Sequence, residues 1–332
     1  MMRKRATSMH PPSYSNEAYW QRYQEFFPEH ARISADNAPV ESYFSWRDAE
    51  IHLDRFPSNT SPLTVLMIHG AGGYGRMLAP IGALLHRAGF DVVAPDLPGY
   101  GLSLTPAALI RYEAWVELLC ALVAKLHAET ARPVVLCGAS LGGYLAYLVA
   151  ARLDKGMVAG VIATTLADPR TSLVRRQFAR NGAVLGMMPV LPLMSALLGR
   201  LKLPIKWFTR MHAMSNHPEL NRVVAADPFG GGRRVPIHFM QSIFSVRPDK
   251  EPELFDHCPI LLLHPGADRW TGIASSRQFL DRVAGPKKLV MLDNCGHFPI
   301  EEPGFGQLEV QALGFLAGLG KSSPGASDTG DR

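Results

Sequence analysis

The stretch Arg132–Ala150, RPVVLCGASLGGYLAYLVA, decides how the chain is read. Pro133 to Cys137 is a short apolar run, Gly138-Ala139-Ser140-Leu141-Gly142-Gly143 has the composition of a turn, and the Ala-, Leu- and Tyr-rich segment after it is helical in character. Strand, sharp turn and helix in that order raise the serine of a G-x-S-x-G to the tip of the turn. Gly138 and Gly142 stand where strained backbone and close strand–helix packing leave no room for a Cβ. Ser140 is thus a candidate nucleophile, presented at the end of a strand.

On either side of this unit the pattern alternates. Upstream, Glu41–Trp46 and Glu50–Phe56 read as a hairpin turning at Arg47-Asp48. Leu63–Ile68 is a buried strand that runs into His69-Gly70-Ala71-Gly72-Gly73. A helix over about 76–88, a strand Asp91–Ala94 and a helix over 106–129 follow, the last with Pro106 in its first turn. Downstream come an apolar segment Met157–Ala163, a strand Pro259–His264, a helix over 273–283, a strand Lys287–Asp293 and a helix over 305–319. The expected fold class is α/β, a mostly parallel sheet flanked by helices. Between Ala167 and Pro236 the alternation stops, which predicts a helical cap inserted on the sheet. The division expected is an N-terminal extension at 1–35, disordered to about residue 15 with a short amphipathic helix over 16–27. The core then covers 36–166 and 236–320, the cap 167–235 and a disordered tail 321–332.

A serine hydroxyl needs a base to take its proton, and the base needs a third group to fix its tautomer. Asp268 in HPGADRWTG and His297 in DNCGHFPIEEPG each follow a predicted strand, and they come in the order serine, acid, histidine. Open parallel sheets bind their ligands at that carboxyl edge. Asp168 also follows an apolar strand and is the alternative acid. An oxyanion requires two N–H donors, for which Leu141, after the nucleophile, and Ala71, in the glycine loop, are the candidates. His69 is expected to brace that loop, and Glu301 and Glu302 to sit where carboxylates favour the dipole of the last helix.

Composition narrows the classes further. The chain has 332 residues, 47% of them hydrophobic, enough for a large core. A net charge of +5 permits anionic partners without demanding them, and nothing else points to nucleic acid. Cys120, Cys137, Cys258 and Cys295 form no C-x-x-C pair and are expected as reduced thiols, and no ligand cluster suggests a metal. With neither a signal peptide nor a spanning segment in the pattern, the expected location is cytoplasmic.

The motifs HGAGG at 69–73, DLPGYGLS at 96–103, GASLGG at 138–143, GADRW at 266–270 and GHFPIEEP at 296–303 fall in an order that resembles the α/β-hydrolase superfamily from about Pro39 to Leu319. The chain looks most like its serine esterase and monoacylglycerol-lipase members with a helical cap. The resemblance implies hydrolysis of carboxylic esters through an acyl-serine intermediate, without a cofactor. Lactonases, thioesterases, carbon–carbon bond hydrolases and cofactor-free haloperoxidases share the triad, so the substrate stays open. Epoxide hydrolases and haloalkane dehalogenases of this fold use an aspartate where Ser140 stands.

The same residues admit two rival classes. Gly70-Ala71-Gly72-Gly73-Tyr74-Gly75 matches G-x-G-x-x-G, with Asp96 ending the next strand as a dinucleotide-binding acid would. That reading leaves Ser140, Asp268 and His297 unexplained. A ligand receptor that keeps the triad is the second rival. For substrate, the cap is the most informative segment: from Arg170 to Arg210 it carries eight Arg or Lys, with no Asp or Glu between Pro169 and Pro218, interleaved with Met, Leu and Phe. Tyr74, Met187, Met188, Met211, Trp270 and Phe298 are expected to line a lipophilic pocket for a small ester, and the cationic cap to meet anionic lipid. The sequence gives no oligomeric state.

Overall fold

The computed structural model describes residues 11–321. The expected disorder at 1–10 and 322–332 lies outside the described residues. The core is an eight-stranded sheet built from β1 (Val40–Trp46), β2 (Ala49–Phe56), β3 (Thr64–Ile68), β4 (Asp91–Pro95), β5 (Val134–Gly138), β6 (Val158–Ala163), β9 (Ile260–Pro265) and β10 (Lys287–Leu292). Their spatial order is β1-β2-β4-β3-β5-β6-β9-β10. β1 and β2 form the expected hairpin, with Arg47 at φ 54°, and β2 pairs antiparallel with β4. The other neighbours run parallel. β3, β4 and β9 are buried along their whole length, which is why they read as unbroken apolar runs.

Helices α1 (Ala79–Arg87), α2 (Tyr112–Thr130), α3 (Leu141–Arg152), α9 (Ile273–Leu280) and α10 (Gly304–Lys321) cover the sheet. α2 starts six residues later than the pattern suggested. Pro106 instead precedes a separate 3-10 turn at Ala107–Leu109, and Arg111 is the extended residue ahead of α2.

The N-terminal segment departs from expectation. The short helix expected over 16–27 is a 3-10 helix, Tyr19–Phe26, preceded by a 3-10 turn at Tyr14–Asn16, and aromatic side chains of both enter the core. Tyr14, placed by the sequence reading in a disordered lead-in, is buried and donates its hydroxyl to Asp96 at 2.8 Å. Tyr23 likewise donates to Asp227 at 2.7 Å. Phe27 meets Phe298 and Phe305 edge-on.

Between β6 and β9 the chain leaves the sheet for α4 (Ser172–Phe178), α5 (Gly182–Met187), α6 (Leu191–Leu198), α7 (Pro218–Ala226) and α8 (Ile237–Ser245). A short antiparallel ribbon, β7 (Lys202–Pro204) with β8 (Arg234–Pro236), ties the end of α6 to the start of α8. α8 packs on both α6 and α2, so the residues just past 236 bridge cap and core. Among the described residues, no helix is long and apolar enough to cross a membrane.

Candidate active site

Ser140 sits on the turn between β5 and α3 at φ 55°, ψ −124°, a backbone that L-residues avoid and that costs on the order of 1–3 kcal/mol. The surroundings hold it there. Its N–H donates to Thr164 Oγ1 at 2.9 Å, and Ala139 N–H donates to Ile68 O at 2.9 Å. The neighbouring glycines are obligatory. A Cβ on Gly138 would lie 2.1 Å from Gly142 O, and one on Gly142 2.3 Å from Ile68 O.

The loops after β9 and β10 bring Asp268 and His297 to the serine. His297 Nε2 is 2.5 Å from Ser140 Oγ, and His297 Nδ1 is 2.8 Å from Asp268 Oδ2. Both side chains of this pair are buried. Asp268 is held by its own turn. Oδ1 accepts from the N–H groups of Trp270 and Thr271 at 2.7 and 2.9 Å, and Oδ2 accepts from Thr271 Oγ1 at 2.7 Å. Burial pushes this carboxyl up, but the His297 charge and the hydrogen bonds from His297 and Thr271 outweigh it and hold it down at about 2. Trp270 lies over the imidazole at 4.7 Å between ring centroids.

Asp168 is not brought to the histidine. Its carboxylate is buried and turned to Arg170, whose guanidinium forks across it and Glu251.

The glycine loop after β3 closes the other side. Gly70 is so close that a Cβ there would lie 3.0 Å from Ser140 Cβ and 3.3 Å from Leu141 N. Ala71, Leu141 and Ser140 line one cavity with Thr165, Ala167, Pro169, Val174, Phe178, Trp270 and Thr271. Leu141 opens α3, so its N–H has no intrahelical acceptor. His69 braces the loop with Nδ1 donating to Gly70 O at 2.8 Å and Nε2 accepting from Leu97 N–H at 2.9 Å. Burial holds it down at about 4, so it is neutral in this role.

The expected pocket residues separate. Trp270 lines the cavity at Ser140. Tyr74 does not: it is fully buried, stacks on Tyr14 and donates to Asp227 at 2.9 Å. Phe298 packs into the N-terminal aromatics, and its N–H donates to Met214 O. Met211 lies against the glycine loop, where a Cβ on Gly72 would come 2.9 Å from its Cε. Met187 and Met188 line a second, apolar compartment under the cap with Val184, Leu191, Phe208 and Phe244. Phe178 is common to both cavities.

Glu301 was expected as a helix-dipole carboxylate, but it is a buried brace. It accepts from Ser215 Oγ at 2.7 Å and from the N–H groups of Asn216 and Gly296 at 2.9 Å each, joining the cap to the His297 loop. Thr164 and Thr271 were also missed. The spacing D-x-x-T at 268–271 is the signal of an Asx-type turn that would have found Thr271.

The rival roles are spent elsewhere. Asp96, the would-be dinucleotide acid, is buried and accepts from Gly75 N–H, Leu102 N–H and Tyr14. Among the described residues Glu41, His52 and Asp54 come close enough to share a cation, but Arg76 is already forked onto Asp54 at 2.6 and 2.7 Å. The cysteines are free, and burial pushes the thiols of Cys137, Cys258 and Cys295 up to about 12, too high to compete as nucleophiles.

Known proteins share this architecture. A monoacylglycerol lipase from Paleococcus ferrophilus superposes with a TM-score of 0.66 at 22% identity, covering 81% of this chain and 99% of that one. A soluble variant of the monoglyceride lipase of Saccharomyces cerevisiae, in complex with a substrate analogue, gives 0.70 at 16% identity, covering 88% and 98%. A thermostable carboxyl esterase from Bacillus coagulans gives 0.65 at 17% identity, covering 85% and 99%. No curated protein matches by sequence. The family model described as serine aminopeptidase, S33, matches residues 61–304, a span that holds Ser140, Asp268 and His297, and the chain belongs to that family of the α/β-hydrolase fold.

Proposed function

We propose that the protein hydrolyses carboxylic esters with lipophilic acyl groups through an acyl-serine intermediate. One observation carries the reading: a largely apolar cavity holds Ser140 Oγ within 2.5 Å of a histidine oriented by a buried carboxylate. His297 takes the hydroxyl proton as Ser140 attacks the ester carbonyl. Asp268, ionised and locked by Thr271, holds the proton-bearing Nδ1 and stabilises the imidazolium that forms. The N–H groups of Ala71 and Leu141 receive the oxyanion. His297 then protonates the leaving alcohol and activates the water that releases the acid.

The fold neighbours named as monoacylglycerol lipase, monoglyceride lipase and carboxyl esterase support an ester rather than a peptide. So does the cavity: an aminopeptidase must hold a substrate ammonium, and none of its lining residues is a carboxylate. The stretch of the cap between Pro169 and Pro218, rich in Arg and Lys and without Asp or Glu, supports contact with anionic lipid.

The test is a panel of esters of increasing acyl length, run beside fluorophosphonate labelling followed by intact mass. Expected are one adduct per chain, none in Ser140→Ala, and turnover that favours longer acyl groups. Labelling without turnover on any ester would point to a ligand receptor, and neither labelling nor turnover would overturn the reading.

A further inference from the structure

Three consecutive residues at the exit of the glycine loop that carries Ala71 are tied to the N-terminal segment. Tyr74 donates its hydroxyl to Asp227 Oδ2 at 2.9 Å, and Tyr23 donates to the same oxygen at 2.7 Å. Gly75 N–H donates to Asp96 Oδ1 at 2.7 Å, and Tyr14 donates to Asp96 Oδ2 at 2.8 Å. Arg76 sets its guanidinium over the rings of Tyr14 and Trp20, 4.8 and 5.0 Å from their centroids. Each carboxylate thus joins one phenol of the N-terminal segment to one residue of the loop exit. The two halves are linked in turn, because the ring of Tyr14 stacks on that of Tyr74 at 5.5 Å. Tyr14, Tyr23, Tyr74, Asp96 and Asp227 are all buried, so bulk water does not replace a donor lost from either carboxylate.

The rest of the loop has little freedom of its own. Its entry continues β3 and is braced by His69, which bonds Gly70 O and Leu97 N–H. Gly73 N–H donates to Gly70 O at 3.1 Å and turns the chain back past Ala71. On the outer side the cap residues just after Asp227 close over it. A Cβ on Gly230 would lie 2.5 Å from Gly72 O, and Asp227 Oδ1 accepts from Phe229 N–H at 2.8 Å. With the entry fixed, the place of Ala71 depends on where Tyr74 and Gly75 are held. Apolar packing would also bury the N-terminal aromatics, but only directional bonds set those two residues in register.

Resting on the ester-hydrolase reading, we infer that Tyr14 and Tyr23 are positioning residues: through Asp96 and Asp227 the N-terminal segment holds the glycine loop, and with it the Ala71 N–H, in place beside Ser140. The segment is then part of the catalytic apparatus without touching substrate. Neither phenol lies near the loop in sequence. Tyr14 is 82 residues from Asp96, and Tyr23 is 204 from Asp227.

The test compares Tyr23→Phe and Tyr14→Phe/Tyr23→Phe with Tyr19→Phe, whose hydroxyl donates to Val223 O at 2.8 Å and so belongs to the same segment without serving either carboxylate. Amide hydrogen exchange over residues 69–78 is read by mass spectrometry in the parent and on the Ser140→Ala background, where it needs no turnover. Values of kcat and KM on a water-soluble short ester are taken per site counted by fluorophosphonate mass. In the double variant we expect loop exchange about tenfold faster with exchange over α3 unchanged, and kcat per labelled site about tenfold lower with KM within about twofold. Tyr23→Phe should go part of the way, and Tyr19→Phe should match the parent. The inference is overturned if loop exchange stays as in the parent, if exchange rises equally over the whole chain, or if kcat per labelled site is unchanged. Faster loop exchange on the Ser140→Ala background, beside a parent that turns over no ester, would uphold the positioning role and overturn the hydrolase reading alone.

Discussion

At the scale of single residues, the two aspartates on which the sequence reading divided have opposite electrostatic surroundings. Asp268 has one oxygen on the imidazole, and its remaining bonds come from its own turn, so its charge is directed at His297. Asp168 is paired with Arg170 and makes no hydrogen bond to His297. Asp268→Asn keeps the shape but offers Nδ1 an amide, which permits the wrong tautomer. We expect kcat to fall by about 10⁴, with little change in KM. Asp168→Asn should leave kcat/KM within a few-fold, because it alters only an ion pair away from the reacting atoms. Steady-state kinetics on one soluble ester decides the matter, and the reverse order would place the acid at the end of β6. That Ser140, Asp268 and His297 were legible at all follows from local cause: each needs a strand end and a glycine beside it, and both leave marks within a few residues. Thr164 leaves none, since its partner is Ser140, 24 residues away.

At the scale of elements, the loops that carry the triad are held by groups whose sequence neighbourhood suggested something else. Glu301 lies three residues before α10 and reads as a helix-start carboxylate, yet its partners Ser215 and Asn216 come from the cap, more than 80 residues away. Glu301→Gln puts an amide N–H against donors that need an acceptor, at a cost of about 1–3 kcal/mol. A lower melting temperature is expected, together with roughly tenfold slower fluorophosphonate labelling of the folded enzyme, as His297 loses its register. The β1–β2 hairpin has a similar hidden partner. His52 is buried between Asp96, at 3.2 Å, and Glu41, at 2.9 Å. Burial pulls this imidazole down, but its contacts with Asp96 and Glu41 outweigh that and hold it up at about 9. A pKa raised on folding stabilises fully below the unfolded value of about 6.5, and that stabilisation is lost as pH rises through about 9. Thermal unfolding should therefore shift down by a few degrees between pH 7 and pH 10, and the shift should shrink in His52→Gln.

For the whole molecule, the proposed choice among esters falls to the cap, and here the sequence was least informative. The sheet announces itself through buried strands with a period of two or continuous apolar runs. The cap instead consists of short helices whose apolar residues serve three ends: the core, the inner compartment and the outer face. Composition cannot apportion them, which is why Met187 and Met188 were expected at the nucleophile and instead line a neighbouring compartment. Phe178, at the end of α4, is the wall between the two spaces, held edge-on by Phe244 at 5.1 Å. If an acyl chain passes from Ser140 into the Met-lined space, it must displace this ring, and the ring's size should set the acyl length at which turnover declines. Phe178→Leu shortens the wall while keeping an apolar contact, so it avoids the cavity of an alanine substitution, which would cost about 3–5 kcal/mol. The expected outcome is a shift of the kcat/KM optimum toward longer acyl esters, with about a tenfold gain for long over short chains relative to the parent. Kinetics across an acyl series would check it. An unchanged profile in a variant that melts as the parent does would mean that the acyl group leaves the site by another route, and that the compartment beneath α5 and α6 serves packing alone.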